Sequence, residues 1–391
     1  MNSTTRHHAR AGALASAGIA LALTLSACAS GGGSTTTADP ANSAASDEGL
    51  QHAQEQVETY TQVTEGFVPS EPIPGVDSLA GGKVIYIPAA GQIPFFTTSF
   101  TALQNAFDVV GVDVELCDAQ ANPSLAASCL TQAITGNAIG VVFDALPSQI
   151  AQEAFTEVAA AGIPIVMGNV PTPEGSPATV RTVGPDTVAV TALAADTIIA
   201  ASDGTAQALG VQVIDSDTTK SWMQDGAAAE FATYCPDCEF TVIDTKTADL
   251  QNAPSKVSAA LLADPGIDYL LPQLSPEITP TVQGATDAGR ADLPASSTAT
   301  TLGDLQQIES GSNLKYSVGW DVVRTGWLEA DMLMRLKLGV DVDASQYVVP
   351  SRIFSADNIG DLELTQEGWD SSDWFGGSDY QDALTALWTG K

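Results

Sequence analysis

The chain has 391 residues, 47 of them Asp or Glu against 14 Lys or Arg, a formal net charge of −33 at neutral pH. So acidic a surface repels nucleic acid and anionic lipid headgroups, and neither is expected as a partner. The three histidines, His7, His8 and His52, all precede residue 80. A folded body that starts near residue 80 then lacks the usual general base, the commonest metal ligand and any Ser-His or Cys-His pair. No P-loop, G-x-G-x-x-G, G-x-S-x-G or zinc-ligand spacing occurs in the sequence. No catalytic residue, cofactor or metal is therefore expected. A carboxylate-based hydrolase is the enzyme class left open, and with 47 acids no particular pair marks it.

In chain order, Arg6 and Arg10 precede an uncharged, apolar or small-residue run, Ala11 to Leu25. It falls short of the about 20 apolar residues of a membrane-spanning helix and suits the hydrophobic region of a secretory signal. The run ends in Leu25-Ser26-Ala27-Cys28, which resembles the lipobox of bacterial lipoproteins. That resemblance implies removal of residues 1–27 as a signal peptide, acylation of Cys28, and export to the outer face of the cell membrane. Two or more acyl chains anchor firmly where one does not. An ordinary signal peptide with a chance cysteine is the plainer alternative. Cleavage would leave 12 basic against 47 acidic residues, since Arg6 and Arg10 are lost, a formal −35. Residues 28–79, rich in Gly, Ser, Thr, Ala and Pro, bury too little to offset their ordering entropy. They are expected to form a flexible tether with a transient helical patch around Gln51–Thr61. The roughly 310 residues that follow suit two domains.

Four cysteines besides Cys28 remain: Cys117, Cys129, Cys235 and Cys238. In an exported chain an even count favours disulfides. Of three pairings, Cys117–Cys129 with Cys235–Cys238 is expected, because each is short-range and joins neighbouring elements. Cys235-Pro236-Asp237-Cys238 could instead be a redox motif, though nothing thioredoxin-like surrounds it, and a zinc site fits less well.

The body alternates strands and helices. Lys83–Pro88 is an apolar strand after a Gly81-Gly82 breaker, and Phe96, Phe100, Leu103, Phe107 and Val110 form a helical stripe behind it. Val112–Cys117 returns as a strand, and Asn122-Pro123 opens a helix from Leu125 to Gly136. Strand Ile139–Phe143, helix Ser148–Ala161 and strand Ile163–Met167 follow. The rhythm resumes with helices 186–202, 219–233, 252–263 and 276–288, separated by strands 208–214, 239–245, 267–272 and 292–298. Such a pattern predicts an α/β fold of doubly wound parallel sheets, with ligands received outside the C-terminal strand ends.

At those ends several segments resemble type I periplasmic solute-binding proteins of the sugar-binding, ribose-binding-protein-like group. They are Gln92-Ile-Pro-Phe95-Phe96, Gly136-Asn-Ala-Ile-Gly-Val-Val-Phe-Asp144, Ala161-Gly162-Ile-Pro164-Ile-Val-Met-Gly-Asn169, Thr182-Val-Gly-Pro-Asp186 and Gly319-Trp320-Asp321. The likeness spans about Lys83 to Arg352. It implies two lobes joined by a three-crossing hinge, near Thr182–Pro185, Val318–Asp321 and Tyr347–Ser351. Residues 80–183 and 320–347 would form the N-terminal lobe, and 184–319 and 348–391 the C-terminal lobe and tail. It further implies a monomer that captures a small solute and delivers it to the separate permease and ATPase chains of an ABC importer. A sensory receptor of the same fold, presenting its ligand to a membrane partner, is the alternative.

By the resemblance Phe95 and Phe96 match an aromatic pair, one of which stacks on the apolar face of a sugar. Phe96 lies on the helix stripe and reads as core, whereas Phe95 is off it. Asn169 stands where the family usually has an aspartate gripping hydroxyls, and an amide can both donate and accept. Gln92 and Asp144 also end first-lobe strands. In the second lobe Asp215, Trp222, Asp225 and Gln273 lie at or beyond strand ends, and Trp320 would floor the hinge. The departures are Val170 where the family often has arginine, Leu274-Ser275 near its Asn-Asp pair, and Ser297-Thr298-Ala299 where it often ends a strand with Phe-Asp. They thin the hydroxyl-gripping set and leave a smaller polyol, a modified sugar or a partly apolar solute open.

Overall fold

The computed structural model describes residues 40–390, and the signal peptide, Cys28 and the first part of the expected tether lie outside them. The described chain opens with helix α1 (Pro40–Thr61), followed by β1 (Lys83–Pro88), α2 (Pro94–Asp108), β2 (Asp113–Leu116), α3 (Pro123–Thr135), β3 (Gly140–Asp144), α4 (Gln152–Ala160), β4 (Ile165–Gly168) and β5 (Val180–Val183). These five strands form one parallel sheet in the order β2-β1-β3-β4-β5. The central strands are buried on both faces, which is why they read as continuous apolar runs.

The chain continues through α5 (Thr187–Ala201), β6 (Gln207–Val213), α6 (Asp217–Ser221), a π-helical stretch (Trp222–Ala228), α7 (Ala229–Tyr234), β7 (Glu239–Thr245), α8 (Ala253–Ala263) and β8 (Tyr269–Pro272). Then come α9 (Ser275–Asp287), β9 (Ala295–Thr298), α10 (Leu302–Glu309), β10 (Leu314–Trp320), α11 (Val322–Leu338), β11 (Ser351–Ser355), α12 (Gln366–Asp370) and α13 (Asp379–Thr389). The second sheet runs β11-β10-β9-β8-β6-β7, with β11 antiparallel on β10. Leaving β11 aside, both sheets repeat one winding: the first strand pairs with the second on one side and the third on the other. Each therefore has a switch point, at β1/β3 and at β6/β8.

Local chemistry places the helix starts. Asn122 Oδ1 accepts the Ser124 and Leu125 amides ahead of α3, and Asp186 Oδ1 accepts those of Val188 and Ala189 ahead of α5. Pro94 and Pro123 occupy first-turn positions where no amide hydrogen is needed. At the far end of α11, Gly339 takes the left-handed conformation that closes the helix. Three segments of the chain pass between the sheets. Gly184 bridges Val348 across the first and third crossings, and β10 leads directly into α11 at the second.

Three features differ from the sequence expectation. The tether expected over 28–79 includes α1, 22 residues long, which packs on α5, α7 and β11. Its docking face carries Ala53, Val57 and Tyr60 against the core, set among small and polar residues. Gly49 lies against the Tyr234 backbone with no room for a side chain, His52 stacks on the Tyr234 ring at 3.7 Å, and Ser46 donates to Asp237 at 2.6 Å. His52 consequently belongs to the folded body, so the expectation of a histidine-free body does not hold. Finally, α13 packs on α11, which itself lies against α2 and β3–β5, so the tail beyond α12 joins the first lobe rather than the second.

The disulfides join Cys117 to Cys129 and Cys235 to Cys238, with Cα separations of 5.7 and 5.2 Å. The second closes the turn between α7 and β7 that carries Asp237. No helix among the described residues is long and apolar enough to cross a membrane.

Candidate functional site

Parallel sheets converge ligands on the C-terminal ends of strands flanking a switch point. In the first lobe those ends carry the β1–α2 loop and Asp144, with Asn169 just beyond neighbouring β4. Asp144 is fully buried on the α2/α11 face of the sheet. Its carboxylate accepts Tyr86 Oη–H at 2.7 Å and Asn169 Nδ2–H at 2.7 Å. Asn169 takes a left-handed conformation, φ 57°, which its short polar side chain tolerates. Its Oδ1 accepts the Trp320 indole N–H at 3.1 Å. Trp320 ends β10 of the other sheet, so this bond latches the lobes at the second crossing. Phe95 meets Trp320 edge-to-face at 5.5 Å and Phe96 at 5.2 Å. An aromatic corner and a polar chain thus meet where the lobes join.

Beneath them lies Glu329 of α11, fully buried, with neither oxygen meeting a hydrogen-bond donor. Burial pushes its pKa well above the ordinary carboxylate range, and the charge of Asp144 pushes it further. Burial also raises Asp144, against the lowering effect of its bonds from Tyr86 and Asn169. Gly168 lets both acids approach β4, because a methyl group there would overlap both carboxyls. Burial thus favours a neutral Glu329 beneath Asp144. Neither Tyr86 nor Glu329 stood out in the sequence: Tyr86 sits inside an apolar strand, and Glu329 is one acid among 47. A carboxylate between Leu328 and Ala330 on an otherwise inward-facing stretch was the available signal.

The second lobe contributes differently. Trp222 opens the π-helical stretch, accepts the Thr191 hydroxyl at its carbonyl, and joins the first-lobe apolar cluster that contains Phe155, Met167 and Val170. Its ring therefore reaches across the cleft and meets an apolar wall where the family resemblance led one to look for arginine. Gly226 allows α5 to pack tightly on this stretch, since a side chain would overlap Thr191. Gln273 is fully buried and spent: Oε1 accepts the Val213 amide at 2.8 Å and Nε2 donates to the Thr219 carbonyl at 2.7 Å. It shapes the β6–α6 loop and offers no free group to a solute. Asp215 is exposed and accepts the Thr247 amide, Asp225 is exposed on the π-helical stretch, and Gln92 is exposed in the β1–α2 loop. The geometry thus gathers Phe95, Asp144, Asn169 and Trp320 about the interlobe junction, with Phe96 behind Phe95, while Trp222 packs in the separate apolar cluster on the other face of the first sheet. Gln92, Asp215, Asp225 and Gln273 stand outside that group.

Two such sheets, wound alike and joined by three crossings, define the two-lobed solute-binding class. A family model for the periplasmic binding protein domain matches residues 84–339. The chain belongs to that family, in its type I, ribose-binding-like form, and is as such a binding protein rather than an enzyme. Among solved structures it is similar to the 5-methylthioribose transporter solute-binding protein of Thermotoga lettingae. The identity is 16%, the TM-score 0.65, and the match covers 81% of this chain and 99% of that one. GanP, a glucose-galactose binding protein from Geobacillus stearothermophilus, is similar at 14% identity, TM-score 0.64, covering 71% and 99%. A carbohydrate transporter from Acidothermus cellulolyticus, solved with myo-inositol, is similar at 18% identity, TM-score 0.61, covering 75% and 99%. No curated protein matches the chain at a significant level.

Proposed function

We propose that this chain is a membrane-anchored solute-binding lipoprotein that captures a small sugar-like or polyol solute between its lobes and hands it to an ABC importer. The observation that carries the reading is the aromatic corner of Phe95 and Trp320 beside Asp144 and Asn169. Ring faces rich in C–H pack on π surfaces, and a solute hydroxyl would bind Asn169 or Asp144 by replacing the Asn169–Asp144 or Asn169–Trp320 bond that holds them here. The apolar Val170–Trp222 side favours a solute with an apolar portion over a fully hydroxylated hexose. Structural relatives crystallised with 5-methylthioribose and with myo-inositol suggest the chemical range to screen.

The anchor belongs to the same reading: acylation at Cys28 would place the body outside the membrane and near a permease. Thermal-shift screening of the full chain against free sugars, alkylthio-sugars and cyclitols tests capture. At least one compound should raise the unfolding temperature, and a flat response across all three classes would count against capture. Cys28→Ser should move the chain from the membrane fraction to the soluble one; retention in the membrane would remove the lipid anchor from the account.

A further inference from the structure

Away from the cleft, α1 meets α5 and α7 in a groove of about 220 Å³ lined by His52, Gln56, Tyr60, Asp196, Glu230 and Tyr234. Three metal-ligating side chains converge there. His52 Nε2 lies 3.0 Å from Glu230 Oε1, and the donor atoms of His52, Asp196 and Glu230 all fall within 4.8 Å of one another. Asp196 is 1% exposed, and its Oδ1 is buried with no hydrogen-bond donor. That oxygen lines the groove as an unfilled acceptor, in a place where leaving one unfilled is costly. The His52 ring is held by its stack on Tyr234, so its orientation is set before any ligand arrives. Each of the three residues comes from a different helix: α1, α5 and α7.

We infer that His52, Asp196 and Glu230 form a binding site for a divalent ion of the zinc class, which pins α1 to the second lobe. One imidazole nitrogen with two carboxylates is a donor set that suits zinc, and tetrahedral bonds of about 2.0–2.2 Å put donors roughly 3.3 Å apart. The donor atoms, all within 4.8 Å of one another with the His52–Glu230 pair at 3.0 Å, bracket that spacing, and side-chain rotation in the groove would bring them to it. The fourth position faces the open groove, where water can complete the shell. A bound ion would give the orphaned Asp196 oxygen a partner.

The test is zinc bound per full-length chain, measured by equilibrium dialysis with metal analysis. Excess Mg²⁺ is included to occupy exposed carboxylates without favouring imidazole. Wild type should approach one zinc per chain and gain unfolding temperature with Zn²⁺. Both H52A and D196N should weaken binding by about tenfold or more. D196N is the informative variant: the amide imitates the protonated acid, so a merely structural role predicts an intact fold and unchanged zinc content. Circular dichroism confirms the fold of each variant. No stoichiometric zinc in wild type, or zinc undiminished in both folded variants, overturns the proposal.

Discussion

At Trp320 one side chain serves two lobes. Its ring forms the aromatic corner with Phe95, and its N–H holds Asn169, which in turn holds Asp144. Trp320→Ala removes both contributions and should weaken solute affinity by about tenfold or more, as titration calorimetry would read. Trp320→Phe keeps an apolar ring and loses the bond, so its affinity should fall between the two. Equal affinity for all three would remove Trp320 from the site. Glu329 is a different kind of residue, an acid held neutral by burial beside Asp144. Glu329→Gln copies the protonated form and should leave the unfolding temperature at pH 8 unchanged or higher. A drop of several degrees would mean that the charged form is the native one.

Among the elements, α1 and α11 show what the sequence makes legible. The apolar strands β1, β3 and β4 and the helix stripe of α2 were readable, because burial on one or both faces writes directly into residue type. The Asn122 cap was readable too, because a side chain that accepts the first helical amides precedes a proline at the first turn. Helix α1 was legible only as a helical patch over Gln51–Thr61, since its docking face mixes the apolar Ala53, Val57 and Tyr60 with Gly49, His52 and Ser46, whose contacts with Tyr234 and Asp237 are far away in the chain. Gly49→Val should therefore undock it: limited proteolysis between residues 40 and 80 should accelerate while cleavage within the sheets stays slow. Unchanged proteolysis would contradict the docking. Trp222 and Gln273 show a second limit. Both sit where strand-end reasoning puts ligand contacts, yet only the side-chain partners show that Gln273 is spent on the β6–α6 loop while Trp222 reaches across the cleft.

Helix α11 is held by charge as much as by packing. Asp331 accepts Arg335 Nε–H at 2.6 Å, Tyr347 Oη–H at 2.5 Å and Trp388 Nε1–H at 2.8 Å, and Arg335 Nη2 also donates to the Glu71 carbonyl at 2.7 Å. One buried carboxylate thereby ties α11 to the third crossing and to α13, while Arg335 reaches the segment ahead of β1. Asp331→Ala leaves Arg335 buried without its counter-ion, and a loss of about 3–5 kcal/mol in chemical denaturation is expected. A change below about 1 kcal/mol, the range of exposed pairs, would show that the network is dispensable.

Across the whole molecule the buried acids set the response to pH. Burial raises Glu277 to about 7, and Asp304 and Asp321 to about 6 each. Burial, followed by the charge of Glu230, raises Asp196 to about 8. Unfolded carboxyls titrate near 4, so between about pH 4 and 8 the folded chain binds more protons than the unfolded one. The stability these groups contribute is full below that window and is lost as pH rises through their folded values. Self-repulsion of a chain at −33 acts in the same direction. The unfolding temperature should rise as pH is lowered from 8 towards 5, and a fall over that range would show that these acids are ionised in the fold.

The central claim is capture of a small solute at the interlobe junction. Titration calorimetry on protein refolded free of any carried-over ligand tests it most directly, against the sugar, alkylthio-sugar and cyclitol that shift unfolding most. One saturable site per chain is predicted, lost or weakened by about tenfold in Trp320→Ala. Saturable binding with the same affinity in wild type and Trp320→Ala, or no binding by any of the three, would contradict it.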